Sequence, residues 1–163
     1  MLPIVLILSF FFSFIAATPV TAGTRANITL YLESSDSSIN NQVLYSANQD
    51  NTIHFYYVGD ESISFATTFM YDGTKNTVYE RQEGSSDRYY LTILDSMLRG
   101  QLGSGLQVTL NTDGSLDFAG SDHLYAYKMG DGSIKFLVLL FASNVPSNVV
   151  PVKLKARTNW ATL

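Results

Sequence analysis

Apolar and polar side chains alternate with period two along most of this chain. Over residues 27–33, Ile28, Leu30 and Leu32 take one side while Thr29 and Tyr31 take the other, the signature of a half-buried strand. Residues 52–58 alternate again, with Ile53, Phe55 and Tyr57 read as the apolar face and His54 and Tyr56 opposite them. The same criterion predicts strands at 43–46, around Ile63 and Phe65, and at 69–71, 77–80, 89–94, 106–110, 115–119, 124–129 and 149–154. Residues 134–142, IKFLVLLFA, break the alternation. After Lys135 the run holds no polar side chain, and it is bounded by Gly130 to Ser133 and by Ser143 to Pro146. It is far shorter than the roughly 18 apolar residues of a membrane span, and it predicts a central strand covered on both faces.

The breaks between these segments are written in turn residues. Residues 34–41 form a polar loop. Asp72-Gly73 and Asn111-Thr112-Asp113-Gly114 predict tight reversals, since Gly, Asn and Asp tolerate positive φ. Asp95 or Ser96 capping Met97-Leu98-Arg99 before Gly100 predicts a helical turn over 95–100. Turn signals recur every eight to twelve residues and no long segment has helical period. The fold class is therefore all-β, a single antiparallel β-sandwich of Greek-key or jelly-roll type.

The N-terminus has a different character. Residues 2–17 are apolar except for Pro3, Ser9 and Ser13, and Val20-Thr21-Ala22 fits a small-residue cleavage site. Residues 1–22 read as a secretory signal peptide, 23–154 as the β domain and 155–163 as a frayed tail. The chain has no cysteine, so packing and strand pairing must hold it without disulfides, and thiol catalysis and thiolate metal sites are excluded. Net charge is −4, which argues against nucleic acid and against anionic membrane surfaces. In a secreted chain, Asn27-Ile28-Thr29 is an N-glycosylation sequon with Asn27 as acceptor.

Several stretches together resemble the N-terminal domain of yeast GPI-anchored cell-wall mannoproteins. They are the strand and loop over residues 28–40, residues 71–79 with Gly84-Ser85-Ser86 after them, Gly103-Ser104-Gly105, and residues 108–122, all in order within residues 28–142. The resemblance implies a secreted wall component with a β-sandwich head, whose partners are wall polysaccharide or wall glycoproteins, and it brings no catalytic residue set. Family members usually continue into a Ser/Thr-rich stalk and a hydrophobic GPI signal. Residues 149–163 contain Lys153, Lys155 and Arg157 and offer no such apolar tail, so the expectation is a chain without a GPI anchor.

Candidate chemistry is sparse. Two histidines, His54 and His123, cannot build a three-histidine zinc site, and no H-E-x-x-H spacing exists. His54 reads as a surface or half-buried strand residue and His123 as a solvated turn residue. Asn111-Thr112-Asp113-Gly114 begins like a calcium loop, but no Glu closes it and Gly comes too early. Asp60, Glu61, Glu80, Glu83, Asp87 and Asp95 supply carboxylates with nothing to mark a glycosidase pair, and no G-x-S-x-G elbow appears. No catalytic residue, metal or cofactor is predicted. Ten tyrosines remain, and Tyr56, Tyr125 and Tyr127 with Asp122 are the candidate contacts for a sugar or partner surface. The reading is a non-enzymatic structural glycoprotein of a fungal wall, with a carbohydrate- or surface-binding module second and a secreted hydrolase third.

Overall fold

A computed structural model describes residues 25–48, 52–59, 66–82, 84–118, 123–130, 136–140 and 144–158. The proposed signal peptide, the Ile63–Phe65 segment and Asp122 lie outside these residues. The described chain is all-β, with thirteen strands: β1 (Arg25–Glu33), β2 (Val43–Asn48), β3 (Ile53–Gly59), β4 (Thr68–Asp72), β5 (Thr77–Arg81), β6 (Arg88–Leu94), β7 (Met97–Leu102), β8 (Val108–Leu110), β9 (Leu116–Phe118), β10 (Leu124–Lys128), β11 (Phe136–Leu140), β12 (Val149–Pro151) and β13 (Lys153–Thr158).

Eleven of them form one continuous antiparallel sheet that folds over into a sandwich. One layer runs β13-β1-β4-β5-β6-β7 and the other β12-β10-β11-β3-β2. The layers join in three places. The outer edge of β7 pairs with β3 at Ile53–Gln101 and with β11 at Leu139–Met97. One edge of β1 is shared between β4 along its first half and β2 at Tyr31–Val43. At Val152 a nearly continuous strand leaves β10 as β12 and pairs with β1 as β13. The order β4-β1-β2-β3 is the Greek key expected from the sequence: three hairpin-connected strands, then a fourth returning beside the first. The hairpin β8–β9 lies apart from the sheet and is bridged to β13 at Ser115–Lys155.

The core lies between the layers. Ile28, Leu30 and Leu32 of β1 are fully buried, as the alternation predicts, and they meet Tyr71, Phe69, Val78, Leu91 and Leu98 from the other strands. Val108, Leu110, Leu116 and Phe118 of the small hairpin close over this core.

Three expectations change. First, the run at 134–142 is described only over Phe136–Leu140, which sits between β10 on one edge and β3 and β7 on the other. It is central in its layer, but of Leu137 to Leu140 Val138 is fully buried while Leu137, Leu139 and Leu140 are half-buried. The strand therefore covers one face of the core and is not enclosed on both sides. Second, residues 95–100 are not a helical turn. Leu94 pairs with Met97, so Asp95 and Ser96 form a two-residue hairpin loop, and both have positive φ (50° and 62°) as a type I′ turn requires. Met97–Leu102 then becomes the strand that joins the layers. Third, the last strand does not end at Leu154. Lys155 to Thr158 continue it against Tyr31 to Ile28, burying Ala156.

The turns carry their own hydrogen bonds. Asp72 Oδ1 accepts from the backbone N–H groups of Thr74 and Lys75, and the positive φ of that hairpin falls on Asn76 (50°). Gly114 adopts φ 83°, and a Cβ there would sit 2.6 Å from the Ala156 carbonyl oxygen; the position admits only glycine.

Candidate functional site

The face assignment of β3 is the reverse of the one expected. His54, Tyr56 and Val58 point into the sandwich, whereas Ile53 and Phe55 are only half-buried. The sequence 52–58 carries bulky rings on both faces, so hydrophobicity alone does not choose between them. The choice follows from what waits inside. On β5, the side of Val78 that faces the core also carries Glu80, and on β2 it carries Ser46.

Glu80 joins the other two residues. Ser46 Oγ donates to Glu80 Oε1 at 2.8 Å, and His54 Nδ1 lies 3.0 Å from Glu80 Oε2. The Tyr89 ring stacks on the imidazole with centroids 3.7 Å apart and planes 16° apart. The side chain of His54 is 3% exposed and that of Glu80 is 12% exposed. Tyr56 packs edge-on against Phe69, its hydroxyl directed over Gly100, where a Cβ would collide with it. Burial first, and then the negative charge of Glu80, hold the Tyr56 phenol well above its usual pKa. Among the described residues, His54 Nε2 and the Tyr56 hydroxyl have no hydrogen-bond partner.

Ser, His and Glu invite comparison with a nucleophilic triad, but the connections are wrong. In such a triad the imidazole takes the serine proton and the carboxylate orients the imidazole. Here the carboxylate sits between the two and takes both contacts, leaving Nε2 aimed into the packed interior. The arrangement ties Ser46 and His54 to one carboxylate across two layers, and the Ser46 hydroxyl donates to Glu80, not to the imidazole.

The second feature is open to solvent. Where β9, β10 and β13 converge, a cleft of about 450 Å³ has a floor of Leu116, Leu124, Val152 and Leu154 and a rim of Asp117 and Lys155. A second groove of about 400 Å³ continues it past Tyr125, Glu33, Ser34 and Pro151, sharing Leu124, Val152 and Lys153 with the first. Lys155 Nζ lies 3.3 Å from Glu33 Oε2 and 3.4 Å from Asp113 Oδ2. Burial works to lower its pKa, but the two carboxylates outweigh that and raise it. Asp113 Oδ1 accepts from the Ser115 hydroxyl at 2.6 Å and its N–H at 2.9 Å, and these bonds hold its carboxyl at a pKa of about 2. Asn111 Nδ2 donates to Ser115 Oγ and Asp117 Oδ2, so the loop that begins like a calcium site spends its oxygens on its own turn. Among the described residues no three His, Asp or Glu side chains gather as metal ligands.

The residues singled out from sequence scatter. Tyr56 is fully buried and cannot meet a ligand at the surface. Tyr125 and Tyr127 share one face of β10, both half-buried, and Tyr125 lines the second groove. His123 is exposed, and Asp122 lies outside the described residues. Asn27 is exposed on the outward face of β1. The Glu80–His54 contact was not anticipated; the only sequence signal for it is a charged residue at an inward position of a strand whose neighbours are Val78 and Tyr79.

Comparison with known proteins follows the same direction as the fold. Over 125 residues, 72% of this chain, it is 27% identical to Cell wall protein RHD3 of Candida albicans. Over 105 residues, 63% of this chain, it is 31% identical to Cell wall protein PGA31 of the same organism. The chain is similar to fungal cell wall proteins. It spans 57% of the first relative's length and 35% of the second's. No family model and no solved structure matches it. Its location is extracellular, at the cell wall.

Proposed function

We propose that this chain is a non-enzymatic structural glycoprotein of the fungal cell wall, secreted by way of residues 1–22 and glycosylated at Asn27. The observation that carries this reading is the similarity to two cell wall proteins, over most of this chain, in an all-β sandwich. The interior supports it. The one cluster of serine, histidine and carboxylate found among the described residues is packed between the layers, with the carboxylate occupied by both neighbours. Asn27 supports the glycoprotein reading, because its side chain stands exposed on an outward strand position, accessible to glycan. Fractionation of cells into medium, detergent-extractable wall and covalently bound wall tests the assignment. Recovery of the chain in a wall fraction is expected, and recovery only inside the cell overturns it.

A second reading, an oligosaccharide-binding module, draws on the paired grooves. They combine an apolar floor, the Tyr125 ring and a rim of both charge signs, which suits a neutral, hydroxyl-rich ligand. Tyr125→Ala and Asp117→Ala should each weaken retention on wall polysaccharide if this reading holds; unchanged retention in both leaves the purely structural role.

A further inference from the structure

The chain is acidic overall, yet its basic residues are collected on one surface. Six of its ten Lys and Arg reach the surface at outward positions of the β13-β1-β4-β5-β6-β7 layer: Arg25, Arg81, Arg88, Lys153, Lys155 and Arg157; a seventh, Arg99, shares that face but is buried. Only Glu33 and Asp72 are carboxylates at outward strand positions of the same layer. Arg25 is paired with Asp72 at 3.5 Å, Arg99 with Asp95 at 3.8 Å, and Lys155 with Glu33 and Asp113.

The register lines up another group. Arg157 pairs with Thr29, and Thr29 pairs with Thr68 across the other edge of β1. Continued one residue past Phe69–Glu80, the β4–β5 register sets Thr68 beside Arg81, and Arg81 pairs with Arg88. The result is one cross-strand row, Arg157-Thr29-Thr68-Arg81-Arg88, running over five strands. At about 4.8 Å per strand it is about 19 Å long, and no carboxylate interrupts it. Arg157 lies over the Tyr31 ring at 4.4 Å from its centroid, and Arg88 and Arg81 lie over Tyr79 at 5.0 and 5.9 Å. Stacking on rings holds planar guanidinium groups in place, which lowers the entropy cost of engaging an anion.

We propose that this row binds a phosphate-bearing glycan of the wall. The Arg81–Arg88 pair takes one phosphodiester through charge-assisted hydrogen bonds, Arg157 takes a second anionic group about three strand spacings away, and the Thr29 and Thr68 hydroxyls lie beneath the sugar between them. The choice of a glycan over other polyanions rests on the wall location; the choice of an anionic one rests on the row alone. The row shares no residue with the groove at Tyr125, which suits a neutral ligand.

The test uses the full secreted chain and three probes: a mannan carrying phosphodiester groups, the same mannan with its phosphate removed, and vesicles of anionic phospholipid. Arg81→Gln/Arg88→Gln and Arg157→Gln are compared with Lys128→Gln, an exposed charge on β10 of the other layer, after melting curves show all three variants folded. The expected result is binding to the phosphorylated mannan that drops at least 10-fold without phosphate and at least 10-fold in the double variant, with Lys128→Gln within twofold of wild type. The double variant should also show a shallower dependence on salt, because fewer cations meet the polymer. Equal binding to both mannans, an equal loss in Lys128→Gln, or tighter binding to the vesicles than to the phosphorylated mannan each overturns the proposal. Wall fractionation of the same variants is read separately: a chain that stays in the wall but ignores phosphate rejects the row and keeps the structural role.

Discussion

Gly100→Ala is the substitution for which the interior gives the clearest expectation. Gly100 lies on β7 between His54 of β3 and Leu91 of β6, and its missing side chain is what lets Tyr56 fit. A Cβ there would collide with the Tyr56 hydroxyl and stand 3.0 Å from its Cζ and 3.2 Å from Tyr89 Cβ. Tyr56 is fully buried and packed against Phe69, and Tyr89 is stacked on His54, so neither ring can step aside freely. In an open strand, replacing Gly with Ala gains roughly 0.5–1 kcal/mol from backbone entropy. Here overpacking costs about 1–3 kcal/mol, so the expected net is a loss of about 1–2 kcal/mol. For a domain of this size that is a fall in Tm of about 3–10 °C. Removing the hydroxyl should relieve most of it. Tyr56→Phe alone should be nearly silent, because that hydroxyl has no hydrogen-bond partner among the described residues. The double variant Tyr56→Phe/Gly100→Ala should then recover about half the loss or more, read as coupling in a double-mutant cycle of denaturant melts. If Gly100→Ala melts at or above wild type, or if Tyr56→Phe gives it no relief, the packing described around Gly100 is wrong.

Other expectations are simpler. Val138 is fully buried at the centre of its layer, so Val138→Asp should cost several kcal/mol, comparable to the whole domain stability; it should abolish secretion of folded protein, and a normally melting secreted variant would refute it. Leu139→Asp, at a half-buried position, should be milder in the same assay. Asn27→Gln should increase gel mobility of the secreted chain through loss of glycan, and unchanged mobility would show Asn27 unmodified. Asp113 has a folded-state pKa lowered from 3.8 to about 2. The stability it supplies is therefore present above about pH 4 and disappears as pH falls through 2. Asp113→Ala should melt below wild type at pH 7 and together with it at pH 2, and a constant gap between the two would reject the assignment.

The two scales of this fold differed in how readable they were. The strands of local pattern were plain in the sequence: β1 buries Ile28, Leu30 and Leu32, and β8–β9 reverses at Asn111 to Gly114 where the turn residues say it should. β7 was missed because Asp95-Ser96 does not carry the glycine that usually announces a type I′ turn, although both residues adopt its positive φ. The inward face of β3 was misread because its ring-bearing residues lie on both sides, and the deciding partners, Glu80 and Gly100, are distant in sequence. The candidate site followed the same division. Tyr125 could be placed on a face from period two alone, but the grooves beside it and the arginine row need the register of strands that are far apart along the chain. A sequence cannot show that Arg157 and Thr29 are neighbours; pairing of β13 with β1 does.

That pairing also sets how the protein would answer to force. Thr158 lies opposite Ile28 and Lys153 opposite Glu33, so the beginning of β1 and the end of β13 leave the sheet at the same end. A load pulling those two points apart would open the ladder like a zipper, one hydrogen bond at a time, instead of shearing all of them together. With no disulfide to lock the pair, β13 would peel away first, carrying Leu154 and Ala156 out of the core and taking the bridge to the small hairpin with it. A domain loaded at those two points would therefore open strand by strand, with β13 leaving before β1 is freed from β4.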